Sequence, residues 1–264
     1  MKLFAFSDFH LSGDPPTKPM EIFGENWRNH REKIFRAWEE TITADDVCIL
    51  AGDLSWGNDL AEAMCDLDAI ARLPGRKIVV RGNHDYWWDT VTKMTRETHG
   101  AFEFLHNNFL MVGNIALVGT RGWIPETSRN FTENDRKILT REEGRMAAGI
   151  EAAKEAGAKS IIAVLHYPPF DEKRRPMHML EILRDAGVSR CVYGHIHGRQ
   201  NFHDIPESML GVKLDLTSAD YLDFKPLLLC EDVYHELQIG RRAPALGIHL
   251  RRRGYRRIRL FSGK

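Results

Sequence analysis

Short apolar runs recur along the whole chain, each closed by polar or glycine-containing residues. They are Leu3–Phe6, Val47–Ala51, Lys77–Val80, Phe109–Val112, Ile115–Gly119, Ser160–Leu165, Arg190–Tyr193, Val212–Leu216 and Pro226–Leu229. Runs this short and this uniformly apolar suit strands buried on both faces. Helical periodicity fills several of the intervals. Trp27–Ile42 repeats apolar residues at Ile34, Phe35 and Trp38 among charged neighbours, and Asp59–Leu73 opens on a capping aspartate and stops before Pro74-Gly75. Asn134–Ala156 is alanine-rich on one side and charged on the other. Strand and helix alternate early and strands dominate later, which predicts α/β layers around a mixed sheet or two sheets. Leu11–Gly24, with its three prolines, and the polar stretch Trp123–Arg136 read as loops; no repeat or low-complexity segment interrupts the pattern.

Composition narrows the class. With 264 residues, 43% hydrophobic and 28% charged, the chain has the make-up of a globular protein able to bury a large core without disulfides. Its apolar runs fall far short of the ~20 residues that span a bilayer, and Leu3–Phe6 is too short for a secretory leader. Cys48, Cys65, Cys191 and Cys230 form no Cys-x-x-Cys pair, so a disulfide framework or thiolate zinc site is not expected and a cytoplasmic setting is. The net charge is zero but uneven: residues 241–264 carry nine Lys/Arg and no acid, leaving a body of net −9. We expect one domain over residues 1–240 and a basic extension over 241–264. The extension has three readings: a nucleic-acid contact through phosphate neutralisation, a partner for an acidic surface, or a solvated end. Alternation over Tyr255–Phe261 also suits an edge strand.

The chemistry lies where the runs end. Leu3–Phe6 leads into Asp8-Phe9-His10, Val47–Ala51 into Gly52-Asp53, and Ile78–Val80 into Gly82-Asn83-His84-Asp85. Ile161–Leu165 leads into His166, and Cys191–Tyr193 into Gly194-His195-Ile196-His197. The C-terminal edge of an α/β sheet is where rigid strands hand polar groups to loops. One aspartate there is usually a turn or cap; five such endings together are not so explained. Asp8, His10, Asp53, Asn83, His166, His195 and His197 supply only nitrogen and oxygen, a donor set for Mn, Fe or Zn. Two divalent ions against two carboxylates and one hydroxide leave a positive pocket suited to a phosphate anion. His84 is placed to act as a general acid.

This ordered series of five motif blocks, spanning residues 8–197, resembles the calcineurin-like metallophosphoesterase superfamily. The resemblance implies a four-layer αββα sandwich with two mixed central sheets and two divalent or mixed-valence transition metal ions. It implies that Asp8, His10, Asp53 and His197 hold one ion and Asp53, Asn83, His166 and His195 the other, with Asp53 bridging. A metal-bridging hydroxide would then attack phosphorus in line, His84 would protonate the leaving group, and Asp85 would orient His84. Protein Ser/Thr phosphatases of that superfamily continue their Gly-Asp block with Tyr-Val-Asp-Arg-Gly. Here Leu54-Ser55-Trp56-Gly57-Asn58 follows, so the chain is more similar to small bacterial predicted phosphohydrolases.

The expected substrate is a small or nucleotide-like phosphomonoester or phosphodiester. The alternatives are a nuclease recruited by the basic extension and a metal-retaining scaffold without turnover. Trp56, Tyr86, Trp87, Trp88 and Trp123 lie near the motif loops, either as a rim that stacks on a base or, the commoner use, as core beneath the loops. Arg121, Arg129 and Lys173-Arg174-Arg175 are candidate phosphate contacts. His30, His99, His106, His178, His203, His235 and His249 are expected to be structural or solvated.

Overall fold

The structure, a computed structural model, describes residues 1–235; the basic extension and the Tyr255–Phe261 alternation lie outside the described residues. In chain order the elements are β1 (Leu3–Phe6), α1 (His30–Thr41), β2 (Val47–Leu50), α2 (Leu60–Ala71), β3 (Arg76–Val79), α3 (Val91–Glu97), β4 (Phe102–Phe104), β5 (Phe109–Val112), β6 (Ile115–Thr120), α4 (Glu133–Glu155), β7 (Ser160–Leu165), α5 (His178–Asp185), β8 (Arg190–Tyr193), β9 (Ser208–Met209), β10 (Val212–Leu216) and β11 (Leu227–Cys230). Two mixed sheets result. One runs β11-β1-β2-β3-β4, with β1 to β4 parallel and β11 antiparallel at the edge; the other runs β5-β6-β7-β8-β10-β9, with β5 and β9 antiparallel at its ends.

The uniformly apolar runs have a direct cause. Successive strand residues point to opposite faces, and here both faces are covered. Leu3, Ala5, Val47, Ile49, Ile78 and Val80 of the first sheet pack against Ile115, Leu117, Ile162, Val164 and Val192 of the second. The alternate residues Phe4, Phe6, Cys48 and Leu50 face Ile34 and Trp38 of α1 and Leu67 and Ile70 of α2. On the far side, Ala163, Leu165, Cys191 and Tyr193 face Met146 and Ile150 of α4 and Leu180 and Leu183 of α5. The layers are therefore α, β, β, α, the four-layer sandwich that the resemblance implies.

Local chemistry sets the helix limits. Asp59 accepts the N–H of Glu62 at the start of α2, and Thr132 and Asp135 form a reciprocal capping box at the start of α4. Lys77 is buried within β3, and its ammonium group donates to the carbonyls of Ala71, Leu73 and Gly75, closing the C-terminal end of α2. Four elements escape the sequence patterning: β4 and β9, at three and two residues, are too short for a period to show, and α3 and α5 are only seven and eight residues long. No helix among the described residues is long and apolar enough to cross a membrane.

Candidate metal centre

Five parallel strands, β1, β2, β3, β7 and β8, end side by side, and the loops that leave them are stitched together. The backbone N–H of Asp8 donates to Gly52 (2.9 Å), that of His10 to Asp53 (3.0 Å), and that of Gly194 to His166 (3.1 Å). Asp8, His10, Asp53 and His195 all take positive φ, at 60°, 48°, 55° and 72°. This left-handed region is costly for non-glycine residues and is held by its surroundings. Gly82 and Gly194 let the loops close: a Cβ on Gly82 would collide with the Asp53 carboxylate, and one on Gly194 with that of Asp8.

All seven candidate ligands meet here, in two halves. In one, His197 Nε2 lies 3.0 Å from Asp8 Oδ1 and 3.2 Å from His10 Nε2. In the other, Asn83 Oδ1 lies 2.6 Å from His166 Nε2 and 2.8 Å from His195 Nδ1. Asp53 Oδ2 faces both, 3.8 Å from His10 Nε2 and 3.4 Å from His166 Nε2. The groups Asp8–His10–His197 and Asp8–Asp53–His166 each present donor atoms within 4.8 Å of one another.

The surroundings fix how these groups point. Asp8 Oδ2 accepts from the hydroxyls of Ser7 and Ser218 and from the N–H of His195, which leaves Oδ1 facing His197. His166 Nδ1 sits 2.9 Å from the carbonyl of Ala51, and His197 Nδ1 sits 2.9 Å from Asp220 Oδ1. Each Nδ1 therefore carries the proton, and each Nε2 aims a lone pair at carboxylate or amide oxygens. Converging lone pairs need a cation between them, so the set fits divalent metal ions bound by nitrogen and oxygen. Without metal, protons fill that role. Burial pushes the His166 imidazole down, but Asp53 and Asp8 overcome it and hold it up at about 9. Burial likewise opposes Asp8 and Asp220 at His197, which is held at about 10. Burial alone would raise Asp53; His166 and His10 bring it down to about 2. Burial also lowers His10 to about 4 and His195 to about 3.

His84 donates its backbone N–H to Asp53 Oδ1 (2.7 Å), and its ring lies 4.4 Å from Trp56 and 5.7 Å from His10. Its Nδ1 is buried without a hydrogen-bond partner among the described residues, and burial lowers its pKa. Asp85 is fully buried. Its carboxylate accepts the N–H groups of Gly82 (2.7 Å), Asp53 (2.9 Å) and Leu54 (2.9 Å) and the indole N–H of Trp87 (2.9 Å). Asp85 therefore ties the Asp53 loop to the Asn83 loop and reaches His84 through the backbone rather than the imidazole. Burial and neighbouring Asp53 raise it to about 6.

Two supports escape sequence reasoning. Asp220 holds His197, and Trp27 packs on His197 and His10 at ring distances of 5.7 and 6.1 Å. The signal for Asp220 was present, since β10 also ends in a polar stretch, Thr217-Ser218-Ala219-Asp220. Of the aromatics, Trp87 is core, Trp88 packs on Phe104, and Trp56 stacks on His10 at 5.0 Å as a wall of the site; only Tyr86 stands largely exposed. Trp123 is covered by Arg121 and donates to Asp135. Arg129, Lys173 and Arg175 are exposed, and Arg175 pairs with Asp171.

A family model for calcineurin-like phosphoesterases matches residues 1–199. The chain belongs to the calcineurin-like phosphoesterase family. Metal-dependent phosphoester hydrolysis is the activity this membership implies, and the family typically uses two divalent ions. No curated protein matches the chain. Among solved structures, TT1561 of Thermus thermophilus shares the fold at a TM-score of 0.50 and 12% identity, covering 88% of this chain and 89% of that one. AQ665 of Aquifex aeolicus aligns at 0.46 and 16%, covering 86% and 95%. The calcineurin-like phosphoesterase YfkN of Bacillus subtilis aligns at 0.45 and 14%, covering 83% and 80%.

Proposed function

We propose that this calcineurin-like phosphoesterase hydrolyses a small or nucleotide-like phosphomonoester or phosphodiester, with seven residues holding two transition-metal ions (Mn, Fe or Zn) and His84 as the general acid. One observation carries the reading: nitrogen and oxygen donors from five separate strand ends converge with their lone pairs inward and the shared carboxylate of Asp53 between them. Divalent ions bound there would supply Lewis acidity, polarising phosphoryl oxygens and making water a nucleophile at neutral pH. The protein's own residues do the rest. Asp85 fixes the two loops that carry Asp53 and Asn83, and Asp220 and Ala51 hold His197 and His166 in the tautomer that can ligate. His84 is tethered to Asp53 through its backbone, and its ring lies 5.7 Å from that of His10, where it can give a proton to a leaving alkoxide. A groove that reaches His195 and His197, lined by Ile124, Tyr167, Pro168 and Arg174, receives the remainder of the substrate.

The test is hydrolysis of p-nitrophenyl phosphate and bis-p-nitrophenyl phosphate by metal-stripped protein refilled with Mn, Fe or Zn, with Asp53→Asn as the blank. Metal-dependent turnover lost in the variant supports the reading, and the preferred ester assigns mono- or diesterase. Two ions bound with no turnover on either ester or on a panel of nucleotides would point instead to a scaffold.

A further inference from the structure

A second concentration of charge lies beside the metal centre, in a small cavity where the ends of β3 and β6 meet α4. Arg81, His106, Arg121, Arg141, Glu142 and Arg145 line it. Four guanidinium groups face one carboxylate. Glu142 is buried and already engaged: it accepts from the Thr120 hydroxyl, from Arg145 Nη1 (2.7 Å) and from Arg141 Nε (3.3 Å). Arg81 and Arg121 make no ion pair among the described residues, and Arg81 Nε is buried with no hydrogen-bond partner. The Arg121 guanidinium carbon lies 4.2 Å from the centre of the Trp123 ring, a cation–π contact that uses none of its N–H donors.

Four guanidinium groups share the one carboxylate of Glu142, and such an excess of partly buried like charge is unfavourable unless something supplies the missing charge. A planar donor fork is the geometry that phosphate oxygens accept in pairs. We propose that this cavity is an anion-binding site that takes a phosphoryl group, gripped by Arg81 and Arg121 with Arg141 and Arg145 completing the positive field. The site is coupled to the metal loops by the chain itself. Arg81 stands two residues before Asn83, and the carbonyl of Arg121 accepts the N–H groups of His166 (3.2 Å) and Tyr167 (2.9 Å). Two sources supply the same chemistry: a second phosphate on the substrate, or free inorganic phosphate, the product of monoester hydrolysis. The choice between them rests on the hydrolase reading; the existence of the site does not.

Because binding here needs no turnover, the test uses the metal-stripped full chain. Inorganic phosphate and adenosine 3′,5′-bisphosphate are titrated calorimetrically into wild type, Arg81→Gln and Arg121→Gln, at chloride-matched ionic strength, and melting is followed in parallel. Phosphate binds the wild type and raises its melting temperature, and each substitution weakens binding about tenfold or more, the scale of losing a charge-assisted hydrogen bond. Binding unchanged in both variants would place the anion on the protonated histidines of the metal centre and overturn the proposal, as would no binding of either probe to wild type. In the metal-loaded enzyme, a bisphosphate KM that rises at least tenfold more than the p-nitrophenyl phosphate KM in Arg121→Gln assigns a second substrate phosphate. Equal shifts with inorganic phosphate still bound assign the free anion. A loaded enzyme inactive on every ester that nonetheless binds phosphate through Arg121 would end the hydrolase reading and leave the anion site standing.

Discussion

The metal centre and the arginine cavity share one edge of the sandwich and are unbalanced in opposite senses. At the metal centre the inward groups are acceptors: the carboxylates of Asp8 and Asp53, the amide oxygen of Asn83, and ring nitrogens whose other face is already tied to Ala51 and Asp220. In the cavity they are donors, and the only carboxylate is consumed by Thr120, Arg141 and Arg145. A third site supplies the control. Arg190 is buried in β8, yet its guanidinium donates to Asp215 Oδ2 (2.7 Å) and to the carbonyl of Leu229 (2.7 Å). Burial of an arginine is thus not by itself the sign of a ligand. Buried polar groups are ordinarily satisfied, so the two sites differ in the sign of the charge that would complete them.

The sharpest way to break the comparison is to remove the acceptor that both halves of the metal centre share. Asp53→Asn should cut metal-dependent turnover by about a thousandfold or more, the scale of losing a principal electrostatic stabiliser. Metal content should fall below two ions per chain by elemental analysis. Full turnover with two ions retained would end the shared-ligand assignment. Next in size, His84→Asn should leave the metal content intact and lower kcat on an alkyl phosphate by about 10²–10⁴-fold. It should cost much less on p-nitrophenyl esters, whose leaving group departs without a proton. Equal losses on both would make His84 a positioning residue rather than an acid.

These two variants fall on residues the sequence made visible, and the reason is physical. Ligands had to follow strands, strands buried on both faces had to be unbroken apolar runs, and so Asp8, Asp53, Asn83, His166 and His195 each stand within three residues of the end of such a run. The α/β layering was legible for the same cause, whereas the four-layer order followed only from the family resemblance. What was not legible depends on contacts between loops. Asp85 adjoins the general-acid candidate in sequence, but its carboxylate turns to the backbone of Gly82, Asp53 and Leu54, which only the fold brings within reach. Trp27 read as the start of a helix, yet it ends a short 3-10 turn ahead of α1 and packs on two ligand rings. The arginine cavity joins residues 81, 121 and 141–145, which no local pattern connects.

Asp220 tests whether orientation matters as much as ligation. Asp220→Asn keeps the shape but removes the charge that holds the Nδ1–H of His197, while Gly198 N–H keeps an acceptor. Metal affinity should fall by about 10–100-fold, the usual cost of losing a partner that orients a ligating histidine. Competition with a chelator measures it, and an unchanged affinity would show that Asp8 alone orients the ring.

The last effect is the most specific. In the metal-stripped protein, protons stand in for the ions on His166 and His197, whose pKa values of about 9 and about 10 lie above the ordinary 6.5. A raised histidine pKa stabilises the folded state fully below the unfolded value and loses that contribution as pH rises through the folded one. His10 and His195, at about 4 and about 3, are neutral throughout that window and add nothing to its slope. Stripped protein should therefore lose stability between pH 7 and pH 10, whereas loaded protein, with metal in place of those protons, should not. The gap between their melting temperatures should widen over that range. Metal binding at pH 7.5 should also release about two protons, read from calorimetry in buffers of different ionisation enthalpy. A gap that stays constant, with no proton release, would mean that the two imidazoles are neutral before metal arrives. The converging lone pairs would then be held apart by something other than charge.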